Sequence, residues 1–405
     1  MNPSIAETSP SPKLPCAKER GATCAAPGQP AARANPLPLE STQEQLGFAL
    51  GWDYARHGVA PPDPYGQAPT SLSNGLLAGR AAFGARVLPA SRGVQMWLQL
   101  RLQAWLRGLS VEDIQVTPHY LDQLDVAHCP VTRAALNPRA IFSNEAAIVR
   151  VRHDAGYAGG NLALLAGKAA AAKGTVGYVG AMQLARQLEH GRQGGVAGLN
   201  AAQWTRMAVL CSFVECLPHT QACEIPLLVL PPNRLRLFNP AQALQVFISR
   251  QLLMPGWSLR VSRIEALVPG KAARHAFQTF FHALLPRVLE AGRNIAEHEL
   301  RWAIEDAWRH PLVQQRWNAF ARPLSATQCE ALVLRAHAKR LGQGLIHEHK
   351  DGAATDGWRI ETQGYVESIV TGRRVVRRQG GPVQRGGREL SRDTQTARQA
   401  VLPLH

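Results

Sequence analysis

The chain has 405 residues, a length at which about two or three domains are typical. Its 45 Lys and Arg outnumber its 29 Asp and Glu, and the formal net charge of +16 predicts a polyanionic partner, most often nucleic acid. No apolar run reaches the roughly 18 residues of a membrane-spanning helix, so the sequence predicts no membrane partner. The 7 cysteines are scattered and odd in number, which argues against a disulfide framework and indicates a reducing cytoplasm.

The first 114 residues divide into a leader and a helical region. Residues 1–40 are rich in Pro, Ala and Ser and lack the apolar segment of a signal peptide, so we predict a disordered leader. Residues 41–114 form the predicted N-terminal helical region. Apolar residues at helical spacing predict three helices there, at Ser41–Tyr54, Ser73–Phe83 and 94–109. Ser41 and Glu44 have the spacing of a capping box, which marks the predicted start of the first helix.

The rest of the chain is predicted to be helical until its last 60 or so residues, where the composition changes. A short helix is predicted to begin at Pro118, because Pro is favoured in a first helical turn. Residues 177–345 form a predicted helical domain, with helices at Gly180–His190, Ala201–Leu217, Ala241–Leu253, Lys271–Glu290, Ile295–Trp308 and Ala326–Leu341. The stretch IPLLVLPP is predicted to be a buried strand or an extended connector. Residues 346–405 are predicted to form a basic β-hairpin and a flexible tail.

Residues 128–174 carry several motifs at fixed spacing, namely Cys129-Pro130-x-Thr132, Arg150, Gly156-Tyr157, Asn161 and Lys173-Gly174. Together they resemble the HNH endonuclease family, in which a Cys-Pro-x-Thr knuckle precedes a β-hairpin and a helix that ends in Lys-Gly. The resemblance implies a ββα-metal, treble-clef-like module, which we place within residues 115–176. The predicted fold class is mainly α, with a small α+β HNH-like module and a short C-terminal β-hairpin region.

The chain departs from the family pattern where the metal site is expected. Val149 stands in place of the hairpin Asp, and Ala170 stands in place of the helix Asn. Arg152 and His153 occupy the next acidic position and the Asn beside it. A nuclease that uses one metal ion needs oxygen or imidazole ligands to hold a divalent cation against the phosphate, and neither Val nor Ala supplies one. The sequence therefore predicts a degenerate site with no metal cofactor.

An active, metal-dependent endonuclease is the alternative. It would use His153 as the general base, with Asp154 and Asn161 in the catalytic site and a divalent metal such as Mg²⁺ as cofactor. His128, just before the knuckle, could reach inward. The competing structural roles are an Asx-type turn for Asp154 and hydrogen bonds from Asn161 to loop backbone.

Basic residues have replaced the acids of the module. The predicted nucleic-acid contacts there are Arg133, Arg139, Arg150, Arg152, Lys168 and Lys173, and a second footprint in the basic tail contains Arg373, Arg374, Arg377 and Arg378. If the module keeps the family geometry, its basic residues face the groove that holds a duplex, where phosphate contacts give affinity without a metal. The alternative is that they are solvated surface charges.

Other cysteines and histidines lie close enough in sequence to suggest zinc sites. Cys211, Cys216, His219 and Cys223 lie close in sequence, but they lack a Cys-x2-Cys pair, and two fall in an apolar helical stretch, so buried cysteines are favoured. Cys129 is likewise predicted to be a small buried side chain. His347 and His349 are two residues apart and are predicted to lie in a surface loop.

The sequence thus predicts a cytoplasmic, bacterial DNA-binding protein built around a degenerate HNH nuclease-like module, of a kind that suits a mobile genetic element. It is not predicted to be an efficient enzyme, and no small-molecule substrate is evident. The two alternatives are the active endonuclease and a non-enzymatic protein-interaction scaffold, whose helical domain would bind a protein partner.

Overall fold

The structure is a computed structural model that describes residues 39–124, 126–137, 145–191, 194–292 and 295–341, together with the backbone of two short strands nearer the C-terminus. The described chain is mainly helical with a small α+β part, as predicted. Nearly all of the predicted leader, and the hairpin predicted around residues 358–378, lie outside the described residues. None of the helices described combines the length and hydropathy needed to cross a membrane.

Four helices come first, α1 (Leu39–Arg56), α2 (Ser71–Phe83), α3 (Arg92–Leu106) and α4 (Pro118–Leu124). The first helix begins at Leu39, two residues before the predicted start at Ser41. The side chains of Thr70 and Ser91 cap α2 and α3 by accepting hydrogen bonds from backbone N–H groups of the first turn. The predicted start of α4 at Pro118 is confirmed.

Close packing of α1 against α2 explains the glycines that interrupt these helices. A methyl group at Gly51 would overlap the carbonyl oxygen of Leu72, and one at Gly75 would overlap the carbonyl oxygen of Phe48. The missing side chains let the two helix backbones approach each other closely, at the cost of some helical propensity.

A β-hairpin and a helix follow. Strand β1 (Ala146–Arg150) pairs antiparallel with β2 (Leu162–Ala166), with Ile148 opposite Leu164, and α5 (Gly167–Lys173) continues directly from β2. Both faces of the hairpin are covered. Ile148 and Leu164 pack in a hydrophobic cluster with α3 and α4, while Ala163 and Leu165 pack on the other side with the later helices. This double burial explains why β2 is apolar throughout instead of alternating.

The remaining helices are α6 (Tyr178–His190), α7 (Ala201–Ser212), α8 (His219–Glu224), α9 (Pro240–Gln251), α10 (Trp257–Leu267), α11 (Lys271–Leu289), α12 (Glu297–Ala307), α13 (Pro311–Ala321) and α14 (Ala326–Ala338). Of these, α8, α10 and α13 were not predicted. The IPLLVLPP stretch is an extended, largely buried connector, one of its two predicted forms. Strand β3 (Arg236–Leu237) pairs with β5 (Gln399–Val401), which also pairs with β4 (His347–His349). His347 and His349 therefore lie in a strand, and the predicted loop was wrong.

The predicted HNH-like segment shares its core with the helices that follow it. Cys129, Val131 and Val151 belong to the same hydrophobic cluster as Trp204 and Trp308. A second cluster joins α3 and α4 to the hairpin, and a third joins α1, α2 and α3. Residues 115–176 therefore have no core of their own in the described structure.

The carboxylate of Glu305, on α12, is 2% exposed and joins three parts of the chain. It accepts a hydrogen bond from the backbone N–H of Leu230 in the connector, at 2.8 Å. It also pairs with Arg133 at 3.1 Å and with Arg301 at 3.4 Å. Arg133 is held a second time by the neighbouring Asp306, which it contacts with two 2.8 Å hydrogen bonds.

We expect Glu305→Ala to destabilise the protein by about 3–5 kcal/mol, because it leaves two arginines and a buried N–H without their shared acceptor. Glu305→Gln keeps one oxygen for the Leu230 N–H and should cost clearly less. The free energy of unfolding in urea at neutral pH measures both.

Asp306→Ala is the matched control, since Asp306 shares Arg133 but its side chain is 51% exposed. It should cost less than about 1 kcal/mol. Equal losses for Glu305→Ala and Asp306→Ala would show that burial does not set the strength of this contact.

Candidate functional site

A cleft of about 400 Å³ lies between α3, β1 and α5. Val149 and Ala170, the two positions where the HNH pattern has metal-site residues, both line it. They reach the cleft from different elements, Val149 from β1 and Ala170 from α5, so the hairpin-to-helix connection brings them to one place. This cleft is the candidate functional site.

The polar groups of the cleft are cationic or neutral. They are the side chains of Gln99, Gln103, Arg107, Arg150 and Tyr157. Among the described residues that line it, none carries a carboxylate or an imidazole. Such a lining suits an anion and offers a divalent cation no side-chain carboxylate or imidazole ligand.

The two arginines of the cleft are positioned by Tyr157. Arg107, exposed at the end of α3, donates from Nη1 to the Tyr157 hydroxyl at 3.2 Å. The guanidinium of Arg150 lies over the Tyr157 ring, 5.2 Å from its centroid, and donates to the carbonyls of His153 and Ala155. Arg150 thus holds loop 151–161 in shape, while Arg107 presents its charge at the surface.

Asn161 is a structural residue of the same loop. Its side chain is fully buried, and its oxygen accepts from the N–H of Arg152 at 2.8 Å. Its amide nitrogen donates to the carbonyls of Arg152 and Gly156, both at 3.0 Å. The amide is therefore used by backbone, the role that competed with catalysis in the sequence interpretation.

Asp154 and Arg152 neutralise each other. Arg152 donates from Nε and Nη2 to the two carboxylate oxygens of Asp154, at 2.9 and 3.3 Å. Burial alone would raise the pKa of Asp154, but the hydrogen bonds and charge of Arg152 hold it below its ordinary value. His153 lies between Arg152 and Asp154 in the sequence and is half-buried. His153, Asp154 and Asn161 are neighbours in the loop, and the side chains of Asp154 and Asn161 are engaged within it.

The predicted nucleic-acid contacts of the module have different surroundings. Arg133 is paired with Glu305 and Asp306. Lys173 is 1% exposed, and its ammonium donates to the carbonyl of Val176 at 3.5 Å. Burial lowers the pKa of Lys173. Lys173 is thus a core residue, and the expectation that it faces a groove was wrong.

Lys168 is exposed on the first turn of α5, where a phosphate could reach it. Arg139 lies outside the described residues, and so do the four arginines of the basic tail, Arg373, Arg374, Arg377 and Arg378.

Four of the five cysteines that the structure describes are buried. Cys129 is fully buried, and its sulfur accepts the N–H of Thr132 at 3.5 Å, so the Cys-Pro-x-Thr segment forms a tight turn. Burial raises the pKa of Cys211 and of Cys223 to about 11, which keeps both thiols protonated at neutral pH. Cys216 is exposed. In the described part of the chain, no three His, Cys, Asp or Glu side chains are grouped closely enough to hold a metal ion.

His128 packs against α12 instead of reaching into the cleft. Its ring stacks on that of His298, with centroids 4.4 Å apart. Both histidine rings make T-shaped contacts with the Trp302 ring, with centroids 5.2 and 4.9 Å from it. Burial, His298 and Arg301 all lower the pKa of His128. This aromatic contact and the Arg133 ion pairs lie at the same junction, between the Cys129 turn and α12.

No family model, curated protein or solved structure matches this chain at a significant level.

We expect Asn161→Ala to destabilise the protein by about 3 kcal/mol, because two carbonyls and one N–H in a buried loop lose their partner. Chemical unfolding measures the change. Asn200→Ala is the control, since Asn200 is exposed and caps α7 through one side-chain bond, a contact worth about 1 kcal/mol. Unchanged stability in Asn161→Ala would remove the structural role and favour a catalytic one.

A pH-dependent contribution to stability is expected from His128. Because its pKa is lowered in the folded protein, its contribution is complete above the unfolded pKa and is lost as the pH falls through that value. His128→Gln should therefore show a smaller decrease in melting temperature from about pH 8 to about pH 5 than the parent protein.

His190→Gln, which changes an exposed histidine on α6, should leave this decrease unaltered. If His128→Gln behaves like His190→Gln, protonation of His128 does not weaken the junction with α12.

Proposed function

We propose that the protein binds DNA through the cleft between α3, β1 and α5, and that it does so without cutting the strand at that site. The observation that carries this proposal is that Val149 and Ala170 line the same cleft. Among the described residues, the charged groups of that cleft are the guanidinium groups of Arg107 and Arg150. A site of this chemistry attracts phosphate and lacks the side chains that would hold a catalytic metal.

The charge of the whole chain supports a nucleic-acid partner. A formal net charge of +16 attracts a polyanion at long range, and contacts with phosphates then release counterions. Arg107 is exposed and lines the cleft. Lys168 is exposed on α5, the helix that forms one wall of the cleft, although it is not part of the cleft lining. These two residues are the proposed phosphate contacts. The basic tail, with Arg373, Arg374 and their neighbours, is the proposed second footprint.

The contacts proposed now differ from those expected from sequence. Arg133, Arg150, Arg152 and Lys173 have partners within the protein, so they position backbone and neighbouring elements instead of reaching for a ligand. Arg107 enters the proposal because α3, which lies outside the HNH-like segment, forms one wall of the cleft.

The degenerate HNH relationship remains part of the proposal. The order β1, β2, α5 and the tight turn at Cys129 support it, since the family has a knuckle, a hairpin and a helix in that sequence. A bacterial, cytoplasmic protein of a mobile element would suit such a module. The described cysteines, Cys129, Cys211, Cys216, Cys223 and Cys329, are free thiols, in keeping with a reducing compartment.

The binding test uses a fluorescent DNA duplex and a salt titration. We expect the logarithm of the binding constant to fall linearly with the logarithm of salt concentration, and Arg107→Ala to reduce the slope by about one. Lys168→Ala should act in the same direction. Arg80→Ala is the matched control, because Arg80 is exposed and lies on α2, a helix that contributes no residue to the cleft.

Two outcomes would reject the proposal. Absence of duplex binding at low salt, or binding without a salt slope, would favour the protein-interaction scaffold. Nicking of plasmid with Mg²⁺ or Mn²⁺ that is lost in His153→Ala would favour the active endonuclease, with the catalytic base in loop 151–161 instead of the cleft.

A further inference from the structure

A second cavity, of about 290 Å³, is lined in part by Gly159 and Gly160 of loop 151–161, the same loop whose Tyr157 lines the cleft. We call it the arginine pocket, and it is bounded by α4, the Gly159–Gly160 turn, Arg234 and Arg236. The turn is fixed in place by two contacts, since Arg236 donates its backbone N–H to the Gly160 carbonyl and Tyr120 accepts the Gly160 N–H, both at 2.9 Å.

Two guanidinium groups converge on this pocket. Arg236 is 1% exposed and lies in β3, so its charge is held in a fixed, poorly solvated position. Burial lowers the pKa of Arg236 to about 10, which leaves it charged at neutral pH. Arg234 has a φ of 62°, a left-handed conformation that is costly for a residue with a side chain. The pocket-lining residues among those described include no carboxylate; Glu112 lies nearby and is bound to the N–H of Gly159 at 2.8 Å.

Polar contacts orient the groups of the pocket. Arg234 donates from Nε to the Gln123 side-chain oxygen at 2.6 Å, and the Gln123 amide nitrogen lies 2.9 Å from His119 Nε2. The Gln123 amide therefore donates to His119, which places the proton of a neutral His119 on Nδ1. With its Nε bound to Gln123, Arg234 has Nη1 and Nη2 to donate to a ligand, as far as the described residues show.

Tyr120 supplies a neutral donor. Burial raises the pKa of Tyr120 to about 12, although the Gly160 N–H and the charges of Arg236 and Arg234 lower it. Tyr120 is therefore a phenol at neutral pH. Its oxygen accepts from Gly160, and among the residues that the structure describes no acceptor is bound to its O–H.

We propose that the arginine pocket binds a phosphomonoester group. The two guanidinium groups and the Tyr120 hydroxyl lie close together at the pocket. Three donor groups match the three terminal oxygens of a phosphomonoester better than the two of a carboxylate. The volume is at the lower end of small-molecule sites, so the ligand is small or enters only by its phosphate end. This inference does not depend on duplex binding at the cleft.

The test measures binding by the full-length protein of inorganic phosphate, of deoxyadenosine 5′-monophosphate, and of a short oligonucleotide with either a 5′-phosphate or a 5′-hydroxyl. A free phosphomonoester as ligand predicts binding of the first two. The end of a nucleic acid as ligand predicts that the oligonucleotide binds more tightly with its 5′-phosphate. Acetate at equal ionic strength is the carboxylate control and should bind more weakly than phosphate.

Arg234→Gln should weaken the phosphate-dependent binding by about tenfold or more, because one charge-assisted contact is lost. Arg80→Gln, far from the pocket lining, should leave it unchanged. Arg236→Gln is a second variant, assessed only if its melting temperature shows that it folds, so Arg234→Gln decides the matter. Binding that is unaltered in Arg234→Gln, acetate binding as tight as phosphate, or no binding of any phosphate at millimolar concentration would overturn the proposal.

Discussion

The buried carboxylate of Glu305 is the contact that holds the connector and the Cys129 turn against α12. It stabilises an extended connector that has few backbone partners of its own, and it fixes Arg133 at the end of the Cys129 turn. Buried ion pairs cost much solvation, so they are kept only where geometry and further hydrogen bonds offset that loss. Here Arg301 and the Leu230 N–H provide those bonds. The Cys129 turn is thereby bound to α12, far away in sequence.

Most of the helices could be predicted because hydrophobic period and cap residues are local signals, although α8, α10 and α13 were missed. The β1–β2 hairpin was expected from the resemblance to the HNH pattern. The surroundings of the basic residues could not be predicted from the sequence. Arg133 and Lys173 have the same charge and sequence neighbourhood as a solvent-facing cation, and only tertiary packing places an acid beside one and a hydrophobic core around the other. Arg107 was missed for the converse reason, since nothing local shows that α3 forms a wall of the cleft. The turn residues around Asn161 did indicate a loop whose backbone is bound by the Asn161 side chain.

Loop 151–161 contributes to two sites of different character. The cleft, lined by Tyr157 of the loop, has a surface arginine and two amides, which suit an extended backbone of phosphates. The arginine pocket, lined by Gly159 and Gly160 of the loop, has cations in fixed, partly desolvated positions, which suit a single compact anion. Asn161 and Arg150 hold the loop from within, so the shapes of both sites depend on the same few hydrogen bonds.

The placement of Val149 and Ala170 has a consequence for how such a protein can change over generations. Both are only partly buried and form the wall of an open cleft, whereas their neighbours Ile148 and Ala169 are packed in the core. Val149 and Ala170 pack at the margin of the core, so exchanges there alter what the cleft can hold and disturb the packing less than exchanges at Ile148 or Ala169 would. The chemistry of the cleft is thus free to drift while Asn161, buried and fully bonded, is constrained to stay.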